Sequence, residues 1–313
     1  MHAMITPASA DAGSIAHPSL EELPAPPLER TGWPWTEESP QLPATMPDGS
    51  HWPRISIVTP SYNQGQFLEE TIRSVLLQGY PNLEYMIMDG GSTDESVAIM
   101  RKYEPWLAYW VSQPDDGQAA AIAEGFRRAT GEILAWINSD DRYLPGAFAR
   151  VGRFFARHPK LVFGSGDVEM IDCQGKRVRR LYAARPSAFL TANLGLHKWP
   201  QQGCFWTELS YDQVGGVDPA LRFCTDRDLF IRLARDGPNR RVPGPPLASF
   251  REHPTAKSST MLETASQEDA ILIARYSDPK WSVHPRLIRW LWRAWVIPVA
   301  VRARLNRHLG WEY

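Results

Sequence analysis

The sequence has few cysteines, no long apolar run and almost no net charge. Its three cysteines, Cys173, Cys204 and Cys224, are an odd number at spacings that fit neither a disulfide framework nor a zinc site, so we expect reduced thiols and a cytoplasmic location. No stretch reaches the roughly 18 apolar residues of a spanning helix, and residues 1–53 lack the apolar core of a cleaved signal peptide. A count of 34 Lys and Arg against 35 Asp and Glu gives a net charge of -1, so we expect no nucleic-acid partner.

The chain of 313 residues has an ordinary globular composition, with 43% hydrophobic and 22% charged residues. Residues 1–53 contain ten of the 27 prolines and predict an irregular N-terminal arm. We expect its tryptophans, Trp33, Trp35 and Trp52, to pack along the domain surface, since aromatic side chains bury large areas even from extended chain. Residues 54–260 predict one large domain, and residues 261–313 a helical extension rich in Trp and Arg.

Short apolar runs alternate with amphipathic stretches from residue 54 onward. The predicted strands cover residues 55–59, 83–88, 107–112 and 133–137, and predicted helices separate them. This βαβ rhythm favours a mostly parallel α/β sheet with helices on both faces, in which ligands bind at the carboxyl ends of the strands. Four polar clusters follow these strands, namely PSYN (60–63), DGGSTD (89–94), QPDDG (113–117) and NSDD (138–141). The sequence therefore predicts a polar site along one sheet edge.

Two of these clusters have alternative explanations. The carboxylates of NSDD suit Mg²⁺ or Mn²⁺ together with phosphate oxygens, but Asn, Ser and Asp are also ordinary turn and helix-capping residues. In DGGSTD the glycines permit a tight turn close to a ligand, and Asp89 could accept a hydrogen bond from a base or a ribose. Alternatively, Asp89 stabilises the turn and Asp94 caps the next helix.

The clusters together resemble a known family. The segments SIVTPSYNQGQFLEETIRSVLLQGYPNLEYMIMDGGSTDES, QPDDGQAAAIAEGFRRATGEILAWINSDD and GGVDPALRFCTDRDLFIRLA are similar to glycosyltransferase family 2 over residues 54–259. The resemblance implies a GT-A fold, that is, a Rossmann-like, mostly parallel sheet flanked by helices. It also implies a nucleotide site that includes Pro60, Tyr62, Asn63, Asp89 and Asp115.

The same resemblance implies a metal site and a catalytic base. The family's DxD element, which bridges a divalent metal to the donor diphosphate, matches Asn138, Asp140 and Asp141. Because asparagine replaces its first acid, we expect Asp140 to carry Mn²⁺ or Mg²⁺, and His253 resembles a further ligand, although a lone histidine is also often structural. The base position matches Asp226, with Asp228 as the alternative.

Three further positions, Thr225, Gln201 and Trp206, concern the base and the sugar or acceptor. Thr225 replaces the glutamate that family members have before the base. Gln201 resembles a glutamine near the acceptor side in some members of the family. Trp206 follows it in sequence and could stack on a sugar face, although packing in the core is the more common role of a tryptophan.

The function expected from this resemblance is inverting transfer of a sugar from a nucleotide diphosphate to a hydroxyl group. A UDP-sugar is the expected donor, with GDP- and dTDP-sugars as alternatives, and the expected acceptor is a glycan or lipid-linked molecule of cell-envelope or exopolysaccharide biosynthesis. One alternative is a sugar nucleotidyltransferase, although no glycine-rich basic phosphate loop is present. A second is a non-catalytic binding module, because Asn138 and Thr225 replace acids.

The last 33 residues, 281–313, contain six arginines and one acid, a net charge of +5. An apolar stripe lies beside three of these arginines, and comprises Ile288, Leu291, Trp292, Trp295, Val296 and Val299. Such a helix can lie in an anionic membrane interface, which would place the protein peripherally on the inner face of the cell membrane. Alternatively it packs on its own domain, and Pro298 should kink or end it.

Overall fold

The computed structural model describes residues 18–184, 187–194 and 199–277. The strands are β1 Ile55–Ser61, β2 Leu83–Asp89, β3 Tyr109–Ser112, β4 Ile133–Trp136, β5 Arg142–Tyr143, β6 Phe163–Ser165, β7 Val168–Ile171, β8 Arg177–Leu181, β9 Cys204–Thr207, β10 Asn239–Arg241 and β11 Ala248–Arg251. The helices are α1 Gly65–Leu76, α2 Ser96–Tyr103, α3 Gln118–Arg128, α4 Ala147–Ala156, α5 Ala188–Leu194, α6 Glu208–Gln213, α7 Thr225–Asp236, α8 Lys257–Thr260 and α9 Leu262–Tyr276.

The central sheet has seven strands in the order β10-β6-β9-β4-β1-β2-β3. Strands β4, β1, β2 and β3 run parallel, whereas β9 runs antiparallel to both β4 and β6. A second sheet of four strands, β5-β11-β7-β8, lies beside it. The four strands predicted from the first half of the sequence therefore form the parallel half of the sheet, and their carboxyl ends meet at one edge, as predicted.

Strand β1 is buried along its whole length, as its continuous β-branched sequence predicts. Ile57 belongs to the apolar cluster on one face, with α1, and Val58 to the cluster on the other face, with α3. Helix α3 approaches so closely that a Cβ on Gly125 would lie 2.5 Å from Val58 Cγ1. Glycine is therefore required at this helix position, where it lets α3 pack directly against β1.

The N-terminal arm packs on this domain from residue 18 to residue 53. Trp35 and Trp52 are 6% and 1% exposed, and the indole of Trp33 donates a hydrogen bond to the Tyr143 carbonyl at 2.8 Å. Arg73 is fully buried and donates to three arm carbonyls, those of Pro24, Pro34 and Trp35. The predicted packing of the three tryptophans is confirmed.

Helix α9 buries Glu268 and Leu272 against the domain and leaves Leu262 and Ile271 exposed. The predicted membrane-binding segment, residues 281–313, lies outside the described residues. Among the described helices, none is long and apolar enough to cross a membrane. All three cysteines are free thiols, as predicted.

Candidate active site

The turns after β1 and β2 are joined by hydrogen bonds. Asn63 has a positive φ of 51°, which asparagine tolerates better than most residues. Its amide oxygen accepts from the Thr93 N–H at 2.8 Å, and its own N–H donates to Ser92 Oγ at 2.7 Å. Pro60 is buried within β1, and Tyr62 is 61% exposed at the rim. The structure thus brings the PSYN and DGGSTD clusters together.

Asp89 ends β2 and is 2% exposed. Its carboxylate accepts the N–H of Gly91 and Ser92 and the hydroxyl of Ser112, the last at 2.6 Å, and so holds the turn. Asp115 is exposed and lies against this turn, because a Cβ on Gly90 would be 3.1 Å from its Oδ2. The turn-stabilising explanation for Asp89 is confirmed, and its contact with a nucleotide stays a prediction.

The two acids of the NSDD cluster, Asp140 and Asp141, point in different directions. Asp141 is 1% exposed and points into the protein, where it accepts from the Arg251 N–H and the Gln202 amide, both at 2.8 Å, and from the Asn138 amide at 3.3 Å. Burial and the neighbouring Asp140 raise the pKa of Asp141 well above its usual range. This corrects the prediction that Asp141 is a metal ligand, because its carboxylate oxygens are already bound within the protein.

Asp140 faces His253 instead. Its Oδ2 lies 3.0 Å from His253 Nε2, and the other ring nitrogen, Nδ1, lies 2.9 Å from Thr255 Oγ1. Two neighbouring ligands about 2.1 Å from an octahedral metal are about 3.0 Å apart, so this pair fits one divalent cation. No group of three or more His, Cys, Asp or Glu suited to a metal exists in the part of the chain described, so such a cation would need further oxygens from a ligand or water.

Arg251 holds this pair in place, and sequence reasoning missed it. The side chain is 1% exposed; Nε donates to the Asp140 carbonyl at 2.8 Å and Nη2 to the Glu70 carboxylate at 2.8 Å. Its guanidinium lies 4.7 Å from the centre of the Phe67 ring, which in turn contacts His253. One buried arginine therefore orients both the NSDD loop and the ring beside His253.

Asp226 lies in the first turn of α7 and is half-buried. Burial raises its pKa to about 6, although the Arg227 N–H at 2.7 Å opposes the shift. Glu268 of α9 holds the preceding loop, since its carboxylate accepts three backbone N–H groups, those of Arg222, Phe223 and Cys224. Asp269 forms an ion pair with Arg227. Helix α9 thus fixes the position of Asp226, and no local sequence signal indicated this.

Asp228 has a different environment. Two residues along a helix place side chains on nearly opposite sides, and Asp228 is 1% exposed among Arg232, Arg275 and the Tyr276 hydroxyl. It is therefore a structural ion-pair partner, which corrects its prediction as the alternative base.

The two predicted sugar-contacting residues also differ. Trp206 is fully buried among the rings of Phe126, Trp136 and Phe230, so the core-packing explanation is right and the sugar-stacking prediction is wrong. Gln201 donates to the Trp136 carbonyl at 2.8 Å, and within the described residues its Oε1 is buried and has no hydrogen-bond partner.

Lys257 connects the two halves of the site. Its Nζ donates to Gln118 Oε1 at 2.7 Å and to the Arg222 carbonyl at 2.6 Å, and the Gln118 amide nitrogen donates to Asn138 Oδ1 at 2.8 Å. Burial lowers the pKa of Lys257, and the charge of Asp226 is among those that oppose the shift. The sequence analysis did not single out this lysine, although it lies only four residues after His253.

Comparison with known sequences gives consistent matches. Residues 56–207 match the family model described as Glycosyl transferase family 2. An uncharacterised glycosyltransferase of Mycobacterium tuberculosis is 31% identical over 186 residues, which cover 58% of this chain and 69% of that protein. An uncharacterised glycosyltransferase of Rickettsia typhi is 25% identical over 199 residues, 61% of each chain.

Solved structures show the same architecture. S. aureus TarS 1-349 in complex with UDP-GlcNAc superposes with a TM-score of 0.54 at 15% identity, covering 71% of each chain. The mannosyltransferase PcManGT of Pyrobaculum calidifontis, in complex with GDP-Man and Mn²⁺, gives a TM-score of 0.53 at 20% identity and covers 72% of this chain and 64% of that one. At these identities the likeness is one of fold.

Proposed function

Because this chain belongs to glycosyltransferase family 2 and has the GT-A fold, we propose that it transfers a sugar from a nucleotide diphosphate to an acceptor hydroxyl with inversion. The observation that carries this proposal is that Asp226, a carboxylate with a pKa of about 6, follows a loop that Lys257 and Gln118 tie to the NSDD loop of the Asp140–His253 pair. Lys257 joins the two places through Gln118.

The donor nucleotide is proposed to bind across the joined turns after β1 and β2. The exposed ring of Tyr62, the turn held by Asp89 and the exposed carboxylate of Asp115 offer a stacking surface and hydrogen-bond acceptors for a base and ribose. TarS is seen with UDP-GlcNAc and PcManGT with GDP-Man. We expect a UDP-sugar, with GDP- and dTDP-sugars as the alternatives.

The donor diphosphate is proposed to lie beside Asp140 and His253, which would hold Mn²⁺ or Mg²⁺. A bound divalent cation supplies Lewis-acid stabilisation of the charge on the departing diphosphate. Asn138 would contribute little directly, because its amide oxygen already accepts from Gln118. Arg251 keeps the Asp140 backbone in position throughout.

Asp226 is proposed as the general base. It takes the proton of the acceptor hydroxyl as the bond from that oxygen to the sugar C1 forms, and the bond from C1 to the diphosphate oxygen breaks. A base works best when its pKa lies near the operating pH, and burial brings Asp226 into that range. One displacement at C1 inverts the configuration. Gln201 Oε1 is proposed to accept a hydrogen bond from the sugar or the acceptor.

The acceptor is proposed to be a glycan or lipid-linked molecule of the cell envelope or an exopolysaccharide. This rests on the sequence of residues 281–313, whose +5 charge and tryptophans favour an anionic membrane surface. The domain limits 54–260 and 261–313 also stay a proposal. Since Glu268 and Asp269 support the loop before Asp226, we propose that the catalytic unit includes α9.

The test is incubation of the full chain with Mn²⁺ and a panel of UDP-, GDP- and dTDP-sugars, with release of nucleoside diphosphate as the readout. Release from one donor, increased by an added acceptor and abolished by excess EDTA, is expected. The anomeric configuration of the product, read by proton NMR, tests inversion. Pyrophosphate exchange into the donor without diphosphate release would indicate a nucleotidyltransferase, and donor binding without any turnover would indicate a binding module.

A further inference from the structure

The ammonium group of Lys257 is half-buried and, among the described residues, is bound only by neutral oxygens. Its two hydrogen-bond acceptors are the side-chain carbonyl of Gln118 and the backbone carbonyl of Arg222. In the part of the chain that the structure describes, no carboxylate lies within ion-pair distance of this ammonium, whereas other half-buried cations of the domain, such as Arg142 and Arg241, have a carboxylate partner. A buried charge without a counter-ion is unusual, because desolvation is costly unless an opposite charge compensates it.

The position of Lys257 indicates where such a counter-ion would come from. The Gln118 side-chain amide accepts a hydrogen bond from Lys257 and donates one to Asn138. This single amide group therefore connects the ammonium to the NSDD loop. His253 begins a tight turn that the Ala256 N–H closes by donating to the His253 carbonyl at 3.1 Å, and Lys257 directly follows this turn. Lys257 is therefore linked to the loop that carries Asp140 through Gln118, and lies four residues after His253.

We propose that Lys257 binds the diphosphate of the donor nucleotide and supplies a positive charge next to it. On binding, the ammonium exchanges one or both neutral acceptors for phosphate oxygens, which are stronger, charged acceptors. This assignment rests on the proposed function. Lys257 would then contact the diphosphate and not the base or the ribose. The segment from residue 253 to residue 257 would carry both a metal ligand, His253, and a phosphate ligand, Lys257.

The experiment compares the dissociation constants of UMP and UDP by calorimetry, or of the matching guanosine or thymidine pair if the wild type prefers that base. In Lys257→Met we expect UDP affinity to fall about 10- to 100-fold, the range for loss of a charge-assisted hydrogen bond, while UMP affinity changes much less. Lys257→Arg should restore most of the UDP affinity. Lys160→Met, an exposed lysine elsewhere, is the matched control and should change neither constant.

Two measurements separate this proposal from its alternatives. Repeating the titrations in EDTA should leave the difference between wild type and Lys257→Met in place, since the lysine charge acts without a metal. Equal loss of UMP and UDP affinity would show that Lys257 only ties the loop down, and unchanged UDP affinity in a variant with normal thermal unfolding would also overturn the assignment. If the wild type itself binds no nucleoside diphosphate, the proposed function fails, and this inference fails with it.

Discussion

Replacement of Asp226 by asparagine keeps the shape of the side chain and removes the charge that burial disfavours. Burial raises its pKa from an ordinary 3.8 to about 6, and the nearby Asp269 adds to this. Each pKa unit corresponds to about 1.4 kcal/mol, so the ionised form of Asp226 destabilises the folded protein by at most about 3 kcal/mol at pH 8. The folded state holds this proton more tightly than the unfolded state. The stabilising contribution of the protonated form is therefore complete below about pH 4 and is lost as the pH rises through 6.

Asp226→Asn should consequently have a much lower turnover and a higher stability than the wild type. Turnover should fall about 10²- to 10⁴-fold with little change in donor affinity, because the amide cannot take a proton. In the wild type the rate should rise about tenfold between pH 5 and pH 7 as Asp226 ionises, and this acid limb should be absent from the residual rate of the variant. The stability gain should be larger at pH 8 than at pH 5, by at most about 1.4 kcal/mol.

Steady-state kinetics and denaturant unfolding at the two pH values check both halves of this prediction. Asp228→Asn is the matched control, since it removes the partner of Arg232, Arg275 and Tyr276. It should destabilise the protein at both pH values and leave the acid limb where it is. A stability gain in Asp226→Asn that does not depend on pH would refute the assigned pKa, and a collapse of donor affinity would place Asp226 in the nucleotide site instead.

Three further outcomes are expected. Asp140→Ala should abolish turnover without loss of fold, and EDTA should no longer weaken donor binding in calorimetry; full activity would exclude the metal role. A lysine at position 251 cannot reproduce the planar set of donors that Arg251 offers to Asp140 and Glu70. Arg251→Lys should therefore lower the unfolding temperature and raise the Mn²⁺ concentration for half-maximal activity roughly tenfold. An unchanged Mn²⁺ requirement would show that Arg251 contributes to stability alone. Removal of residues 281–313 should end salt-sensitive sedimentation with anionic vesicles but retain donor hydrolysis; equal sedimentation of both forms would show that this segment is not the membrane contact.

The sequence by itself determined the parallel half of the sheet and the edge that carries the site. Continuous β-branched runs such as Ile55–Thr59 predict strands buried on both faces, and the intervening amphipathic stretches predict the crossover helices, because both signals are local and periodic. Polar clusters that directly follow parallel strands must then meet at one edge. That much of the candidate site could be predicted from one sequence, including the proximity of Asn63 to the turn at Asp89.

Only the tertiary structure decided which of the polar side chains face that edge. Asp140 and Asp141 are neighbours in sequence, yet one contacts His253 and the other is bound inside by Arg251, because β11 arrives from more than a hundred residues away. The sequence offered Trp206 both sugar stacking and core packing, and only the packed rings around it in the folded protein show that it belongs to the core. The contact of Lys257 with Gln118 spans 139 positions and follows no local period, so the packing of distant elements, which no sequence pattern encodes, placed this charge in the site.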